Sequence, residues 1–497
     1  MGLSKERFRR DRERLVVELA ETGDHLIGEI DLVLSAYPDL KRPGLETTIF
    51  MEKMAELFIG DLDRLSESEL KLLEGMASVA RDMGKARLFD ETYLGHMLTQ
   101  ASIPGMLGHM LGVRVGDNTV AREVSRFSTE LEPEAIRGLA EIIGFDPEKA
   151  DGTFTSGGSM AMQTALMSAR RNCDERISRE GGKMVVITSP FAHYSVSKMC
   201  DIIGGPHGQV EKRAVGSENL KISMDSLQEE IEKVKGEGSP FVVVGIAGET
   251  ETGLIDPLVE MADMTEREGG LFIVDGAYGA PYRLSRNGQL FEGMERAYAV
   301  TLDPHKALGT PYANGAVLWR DKKDIFFGYA DRAEYLGKGN LGQKRIEGSM
   351  GPDPILSTLA VLRTLGRKGL EVMYDLTLDR IEYLHKRVEE SSLLVPLHYP
   401  ELNLLCFTYS DEALRRLEVD SGDHKRMEEL IESTRIDLDK GIERVGGYFF
   451  SGTKLPLDGG NAIWVYRSCI MNPRTTNGII DQAVAGLEKG ISSRFVK

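Results

Sequence analysis

The sequence is poor in cysteine, in tryptophan and in positive charge. Cys173, Cys200, Cys406 and Cys469 are its 4 cysteines among 497 residues, and no two are close enough for a CxxC pair. That excludes a zinc ribbon or a dithiol redox motif, and so few thiols in so long a chain exclude a disulfide scaffold. Lys and Arg together number 61 against 78 Asp and Glu, for a net charge of −17. A nucleic acid or an anionic membrane needs a positive face, so neither is expected as a partner. No apolar run approaches the roughly 18 residues of a membrane-spanning helix. The N-terminal MGLSKERFRRDRERL lacks the apolar core of a signal peptide, and Glu6 stands where myristoylation needs a hydroxyl. The 54 glycines follow no G-X-Y period, which excludes collagen. The remainder, 41% hydrophobic and 28% charged, describes a globular protein with a sizeable core. A cytoplasmic protein without a metal centre is expected, with about three domains at roughly 150 residues each.

The texture changes along the chain. Residues 5–36 and 46–100 are charged and amphipathic, and predict an N-terminal helical segment over 1–100 that packs against a second subunit. From about residue 150, KMVVITS (183–189), FVVVGIA (241–247), LFIVD (271–275), YAVTL (298–302) and GAVLWR (315–320) are short β-rich runs. Helix-like stretches at 225–237 and 257–268 lie between them. Continuous apolar strands alternating with helices predict an α/β domain with a mostly parallel sheet over 101–365. A long helical stretch (353–394) leads to ELNLLCFTY (401–409) and GNAIWVYRSCI (460–470), which predict a small C-terminal α+β domain over 366–497.

Four places carry chemistry. Gly157, Gly158 and Ser159 form a small-residue turn before the helical run MAMQTALMSARR; this suits a phosphate, or equally a plain helix cap. Asp275 follows an apolar strand directly, at the edge where open α/β sheets bind ligands, although an Asx-turn needs the same residue. Lys306, in TLDPHKALGT, follows the next strand. It is either a surface lysine or an enclosed Schiff-base nucleophile. His193, in FAHYSVSK, follows an earlier strand and suits either ring stacking or a structural role. Gly337, Gly339 and Gly342 spell GxGxxG without the flanking strand and helix of a dinucleotide site, and mark a glycine-rich loop instead. In chain order, a phosphate turn, a carboxylate and a lysine are what pyridoxal 5'-phosphate needs.

With SGGSMAMQTAL, HYSVSK, GETETGLIDP, VDGAYGAP, DPHK and YRSCIMNPRTT, the chain from about residue 90 resembles the group II pyridoxal-phosphate amino acid decarboxylases. These include the glutamate, aromatic amino acid and archaeal tyrosine/aspartate decarboxylases. The resemblance implies an aspartate aminotransferase-like fold (fold type I), a homodimer, and release of carbon dioxide from an L-amino acid to leave the amine. Glutamate, tyrosine and aspartate are the substrates it suggests. It further implies that Gly157, Gly158 and Ser159 cradle the phosphate and that His193 stacks on the ring. Thr250 would lie beside the phenolic oxygen, Asp275 at the ring nitrogen and Ala277 on the other face. Asp303 and His305 would accompany Lys306, the Schiff-base residue. Arg467 would hold the substrate carboxylate, and Tyr335, on the glycine-rich loop, would reprotonate Cα. Four residues depart from the common pattern: Glu249 for a Thr, Met162 for an Asn, Asp303 for an Asn, and Met350 for an Arg. Asp303 is shared with the sphingosine-phosphate lyases, which makes retro-aldol carbon–carbon cleavage the rival reaction. A cofactor-binding protein without turnover is a second rival.

Overall fold

The computed structural model describes residues 91–98, 100–180, 183–325, 344–420, 422–440, 447–456 and 462–495. The expected helices before residue 91, together with Tyr335, Gly337, Gly339 and Gly342, lie outside these. Everything below belongs to the unit Glu91–Lys497.

Helix α1 (Ile103–Val115) starts at Ser102, whose Oγ accepts from the Gly105 amide at 3.2 Å, and ends at Gly116 in the left-handed region (φ 63°). Its buried face is made of glycines because another helix passes close by. A Cβ on Gly108 would lie 2.4 Å from the Leu356 carbonyl oxygen. Helix α2 (Arg126–Ile143) buries Ile136, Leu139, Ala140 and Ile143. Then follow β1 (Asp151–Thr155), α3 (Gly158–Glu180), β2 (Met184–Thr188), α4 (Tyr194–Gly204), β3 (Val210–Ala214), and the short hairpin of β4 (Ser217–Glu218) and β5 (Lys221–Ile222). Next come α5 (Met224–Gly236), β6 (Phe241–Ile246), α6 (Leu258–Glu268), β7 (Leu271–Asp275), β8 (Ala299–Leu302) and β9 (Gly315–Trp319).

The large sheet has the order β1-β9-β8-β7-β6-β2-β3. All its strands run parallel except β9, which is antiparallel to both neighbours. β2, β6, β8 and β9 are buried along their whole length. This explains their continuous Val and Ile content: helices cover both faces, so no polar alternation survives. One core (Leu139, Phe154, Val243, Val274, Leu318) fills one side and another (Leu166, Val186, Val244, Trp319) the other. β1 and β3 were not legible as strands, since DGTFT and VEKRA occupy sheet edges and are rich in polar residues.

Helix α7 (Asp353–Glu389) leads out of this layer and bends at Gly366 (φ 60°, ψ −176°). After it come β10 (Leu394–Pro396), β11 (Leu404–Tyr409), α8 (Asp411–Leu417), α9 (His424–Lys440), β12 (Ser451–Pro456), β13 (Ala462–Cys469) and α10 (Asn477–Ser492). The four strands form an antiparallel sheet of order β10-β11-β13-β12. Phe407, Tyr466, Ile431 and Val484 pack its core together with Ile381 and Leu384 of α7. Tyr93 pairs with Phe449 beside this sheet, and their rings stack at 4.8 Å.

Asp256 anchors the exit from β6. Its carboxylate accepts from the Ile222 amide (3.0 Å) and the Ile246 amide (2.9 Å), tying the β4–β5 hairpin to the sheet. Burial pushes its pKa up to about 6, against the lowering effect of the two N–H groups. The sign follows from the raised folded value. The bound proton stabilises the fold fully below the ordinary value of 3.8, and that contribution is lost as the pH rises through about 6. It amounts to about 3 kcal/mol. The melting temperature of Asp256→Asn relative to wild type should therefore rise between pH 4 and 7. Asp256→Ala, which orphans two buried amides, should cost about 2–6 kcal/mol at pH 4 and less as the pH rises through about 6. Parallel thermal melts across that pH range check both.

Candidate active site

The parallel strands all end on one side of the large sheet, and their carboxyl ends hold most of the singled-out residues. β1 runs into Ser156 and Gly157, and α3 begins at Gly158. The first turn of α3 therefore points free amides at the space above the sheet, a natural seat for an anion. Gly158 has no room for a side chain: a Cβ there would stand 2.8 Å from Asp303 Oδ2 and 3.2 Å from the Ala277 methyl. Asp275 closes β7. Its Oδ1 accepts from the Ala277 amide and from Thr301 Oγ1, each at 3.2 Å, which leaves Oδ2 for a further partner. His193 caps α4. Its Nδ1 lies 2.8 Å from Ser195 Oγ and accepts from the Ser195 amide at 3.3 Å, so the ring orientation is set from below.

Asp303 lies just past β8 and is 2% exposed. Its Oδ2 stands 3.2 Å from Lys306 Nζ and 3.7 Å from His305 Nε2, while Oδ1 is buried without a hydrogen-bond partner among the described residues. His305 Nδ1 accepts from the Asn314 amide at 3.2 Å, so the ring proton of the neutral form belongs on Nε2, toward Asp303. Burial holds both His193 and His305 below the ordinary histidine pKa. They are neutral rings at pH 7. Gly157, Gly158, Ser159, His193, Thr250, Asp275, Ala277, Asp303, His305 and Lys306 all line one cavity of about 300 Å³.

The model of the pyridoxal-dependent decarboxylase conserved domain matches residues 67–410. The chain belongs to the pyridoxal-dependent decarboxylases. An L-2,4-diaminobutyrate decarboxylase from Rhizobium meliloti is 31% identical over 366 residues, covering 71% of this chain and 72% of the relative. An aspartate 1-decarboxylase from Aliivibrio fischeri is 27% identical, covering 79% and 78%. Among solved structures, mouse CSAD in apo form superimposes with a TM-score of 0.74 at 21% identity, covering 95% of this chain and 99% of that one. The glutamate decarboxylase domain of a Vibrio parahaemolyticus enzyme gives 0.71 at 23%, covering 96% of each. The fold is fold type I, the expected aspartate aminotransferase-like architecture. The enzyme is a carboxy-lyase acting on an amino acid, and its cofactor is pyridoxal phosphate. Nothing in the comparisons supports the retro-aldol alternative.

The decarboxylase cavity fits that cofactor on its own terms. Gly158 and Ser159 open α3 at the cavity wall, Asp275 keeps an oxygen for a ring nitrogen, and among the described residues Asp303 carries a buried oxygen without a partner. Arg467, in contrast, does not line the cavity. It is 5% exposed, and its guanidinium donates to the carbonyls of Thr250 (2.9 and 2.5 Å), Glu251 (3.2 Å) and Gly95 (3.1 Å). Met162 is fully buried in the core on one face of the sheet, away from the cavity lining, and Met350 packs partly buried against the other core.

Sequence reasoning missed several neighbours, among them Met97, Phe191, Ile246, Tyr312 and Glu347. Met97, Phe191 and Tyr312 line the cavity, with the Tyr312 ring 4.0 Å from that of His305. Glu347 accepts from both the amide (2.8 Å) and the hydroxyl (3.0 Å) of Ser156 at the edge of the cup. Tyr312 had a signal, the turn sequence TPYANG just past Lys306; Met97 and Glu347 had none, being brought in from distant parts of the chain. Gly158→Ala tests the cup. Its methyl should overlap Asp303 and weaken cofactor binding by about tenfold, about 1.4 kcal/mol, as read by absorbance titration of the cofactor-free protein.

Proposed function

We propose that the enzyme decarboxylates a small polar L-amino acid, with 2,4-diaminobutyrate, aspartate and glutamate as the leading substrates and tyrosine as the contrasting case. The observation that carries the reading is the convergence of Lys306, Asp275, Asp303 and the Gly158 cup on one cavity. The names of the relatives, a diaminobutyrate and an aspartate decarboxylase, support the substrate range.

The bound cofactor supplies a sink for the electron pair left on Cα when carbon dioxide departs. The chain does the rest. Lys306 presents its amine to the cavity, held 3.2 Å from Asp303, and is assigned as the Schiff-base residue. The N-terminus of α3, with Gly157, Gly158 and Ser159, would hold the phosphate. Asp275 would accept from the ring nitrogen and keep it protonated, a charge-assisted bond worth about 1.5–3 kcal/mol. His193 and Ala277 would hold the ring between them, and Thr250 would serve the phenolic oxygen. Buried Met97, Phe191 and Ile246 give the cavity an apolar wall, and the Tyr312 ring, 53% exposed, lines it beside them. Arg467 is assigned to the substrate carboxylate; its longer bonds, to Gly95 and Glu251, are the ones such a group would replace. Tyr335 is assigned to deliver the proton to Cα. The active unit is taken to be a cytoplasmic homodimer of subunits in three parts, 1–100, 101–365 and 366–497. The low thiol count supports the compartment, and no described helix is long and apolar enough to cross a membrane.

Borohydride reduction of holoenzyme followed by peptide mapping should label Lys306, and a panel of L-amino acids should release carbon dioxide fastest from one of the polar members. A label on another lysine removes Lys306 from its assigned role, and turnover confined to tyrosine reverses the substrate choice. Tyr335→Phe should keep cofactor binding but lose amine formation, with carbon dioxide release ending in carbonyl product or dead enzyme. Yields of amine, carbonyl and carbon dioxide measure this. Amine turnover within about threefold of wild type, under ~0.7 kcal/mol of barrier, would show that another group donates the proton.

A further inference from the structure

Glu249 is a carboxylic acid in the turn after β6, and it is 3% exposed. Its Oε2 is the centre of a turn. It accepts from the Glu251 amide (2.9 Å), the Thr252 amide (2.6 Å) and Thr252 Oγ1 (2.8 Å). The backbone closes around the same residue: the Glu249 amide donates to the Leu254 carbonyl (2.9 Å) and the Gly253 amide to the Glu249 carbonyl (2.8 Å). Thr252 Oγ1 passes the chain on by accepting from the Leu254 amide at 3.2 Å. Between these fixed points sits Thr250, which lines the active-site cavity. Its carbonyl is drawn the opposite way by Arg467.

Among the described residues the other oxygen, Oε1, is buried without a hydrogen-bond partner, and no cation donates to this carboxyl group. The titratable and charged groups around it are Glu251 on the same turn, Cys406 on β11 and Arg467 on β13, and Arg467 gives its donors to carbonyls. A bare carboxylate there would carry an uncompensated buried charge beside Glu251, which is costly. A neutral acid keeps the three bonds on Oε2 and can turn its proton toward Glu251.

We propose that Glu249 is a positioning residue, whose carboxyl group builds the turn that holds Thr250 against the cofactor cavity. The inference rests on the decarboxylase reading of the cavity. Burial first, and then Glu251, raise the Glu249 pKa well above the ordinary carboxyl value. Thr250 touches the cavity; Glu249 acts only through it.

The test uses full-length holoenzyme and three variants. Glu249→Gln keeps a carbonyl acceptor for the three donors and an N–H for Glu251, without charge. Glu249→Ala removes the acceptor, and Glu249→Asp withdraws it by one methylene while leaving less of a void. Kinetic constants, the visible absorption of the cofactor, and the infrared difference between wild type and Glu249→Gln are read together. Glu249→Gln should stay within threefold of wild type in kcat and KM. Glu249→Ala and Glu249→Asp should lose at least tenfold in kcat/KM, with a shifted cofactor spectrum. The infrared difference should show the carbonyl band of a protonated acid lost in Glu249→Gln. Ala and Asp variants within threefold, or a Gln variant as damaged as they are, would overturn the proposal. If Glu249→Ala does not fold, the Gln and Asp pair decides. If wild type turns over no amino acid, the substrate reading fails on that result alone, while the cofactor spectra of the three variants still decide for or against Glu249.

Discussion

The site is organised around a single buried carboxylate, Asp303. It stands at the end of β8, is almost fully enclosed, and has one oxygen shared between Lys306 Nζ and His305 Nε2. A buried anion that loses its partner is destabilising by several kcal/mol, about 3–5 in comparable cases, so Asp303 dictates where the lysine and histidine must sit. Its backbone does as much. The Asp303 amide donates to the Ala277 carbonyl and its carbonyl accepts from the Lys306 amide, both at 2.9 Å, which joins the ends of β7 and β8 to the turn carrying the lysine. The same carboxylate lies against Gly158 and allows no side chain there. Anion cup, carboxylate strand end and lysine are thereby held in one geometry.

A second set of contacts joins the small sheet to the cavity wall. Arg467 on β13 holds the Thr250 and Glu251 carbonyls. Cys406 on β11 donates its thiol to the Glu251 carbonyl at 3.2 Å. Tyr278, beside the cavity, donates its hydroxyl to Asn403, and Glu401 accepts from Lys221 (2.6 Å) and from the Ile255 amide (2.8 Å). These bonds are largely enclosed, so each withstands competition from water. The turn that presents Thr250 is thus built from both layers. A shift of the small sheet would be felt in the cavity before any cavity residue moved on its own.

The local chemistry was legible where it was contiguous. VDGAYGAP places Asp275 and Ala277 two residues apart at a strand end, and DPHK places Asp303, His305 and Lys306 in one turn; both survive folding as neighbours. The apolar runs predicted β2, β6, β7, β8 and β9 within about a residue, because a strand buried on both faces must be apolar throughout. Edge strand β1 escaped because its buried positions are filled by Gly and Thr as well as Phe, and β3 because most of its residues are only half-buried and charged. Arg467 was visible as a motif residue, but its present partners, three backbone carbonyls, were not, since a carbonyl has no signature in the amino-acid code.

The sequence by itself determined the strand–helix alternation, the order of cup, carboxylate and lysine, and through these the cofactor chemistry. Those follow from short-range rules of burial, turn formation and residue type. Only the tertiary structure decided that β9 runs against its neighbours, that Glu347 reaches Ser156 across 191 positions, and that Glu249 hides its carboxyl inside the turn behind Thr250. Each of those depends on which distant segments become neighbours. That is settled by how the layers pack, because a hydrogen bond or a buried charge acts over a few ångströms and is blind to distance along the chain.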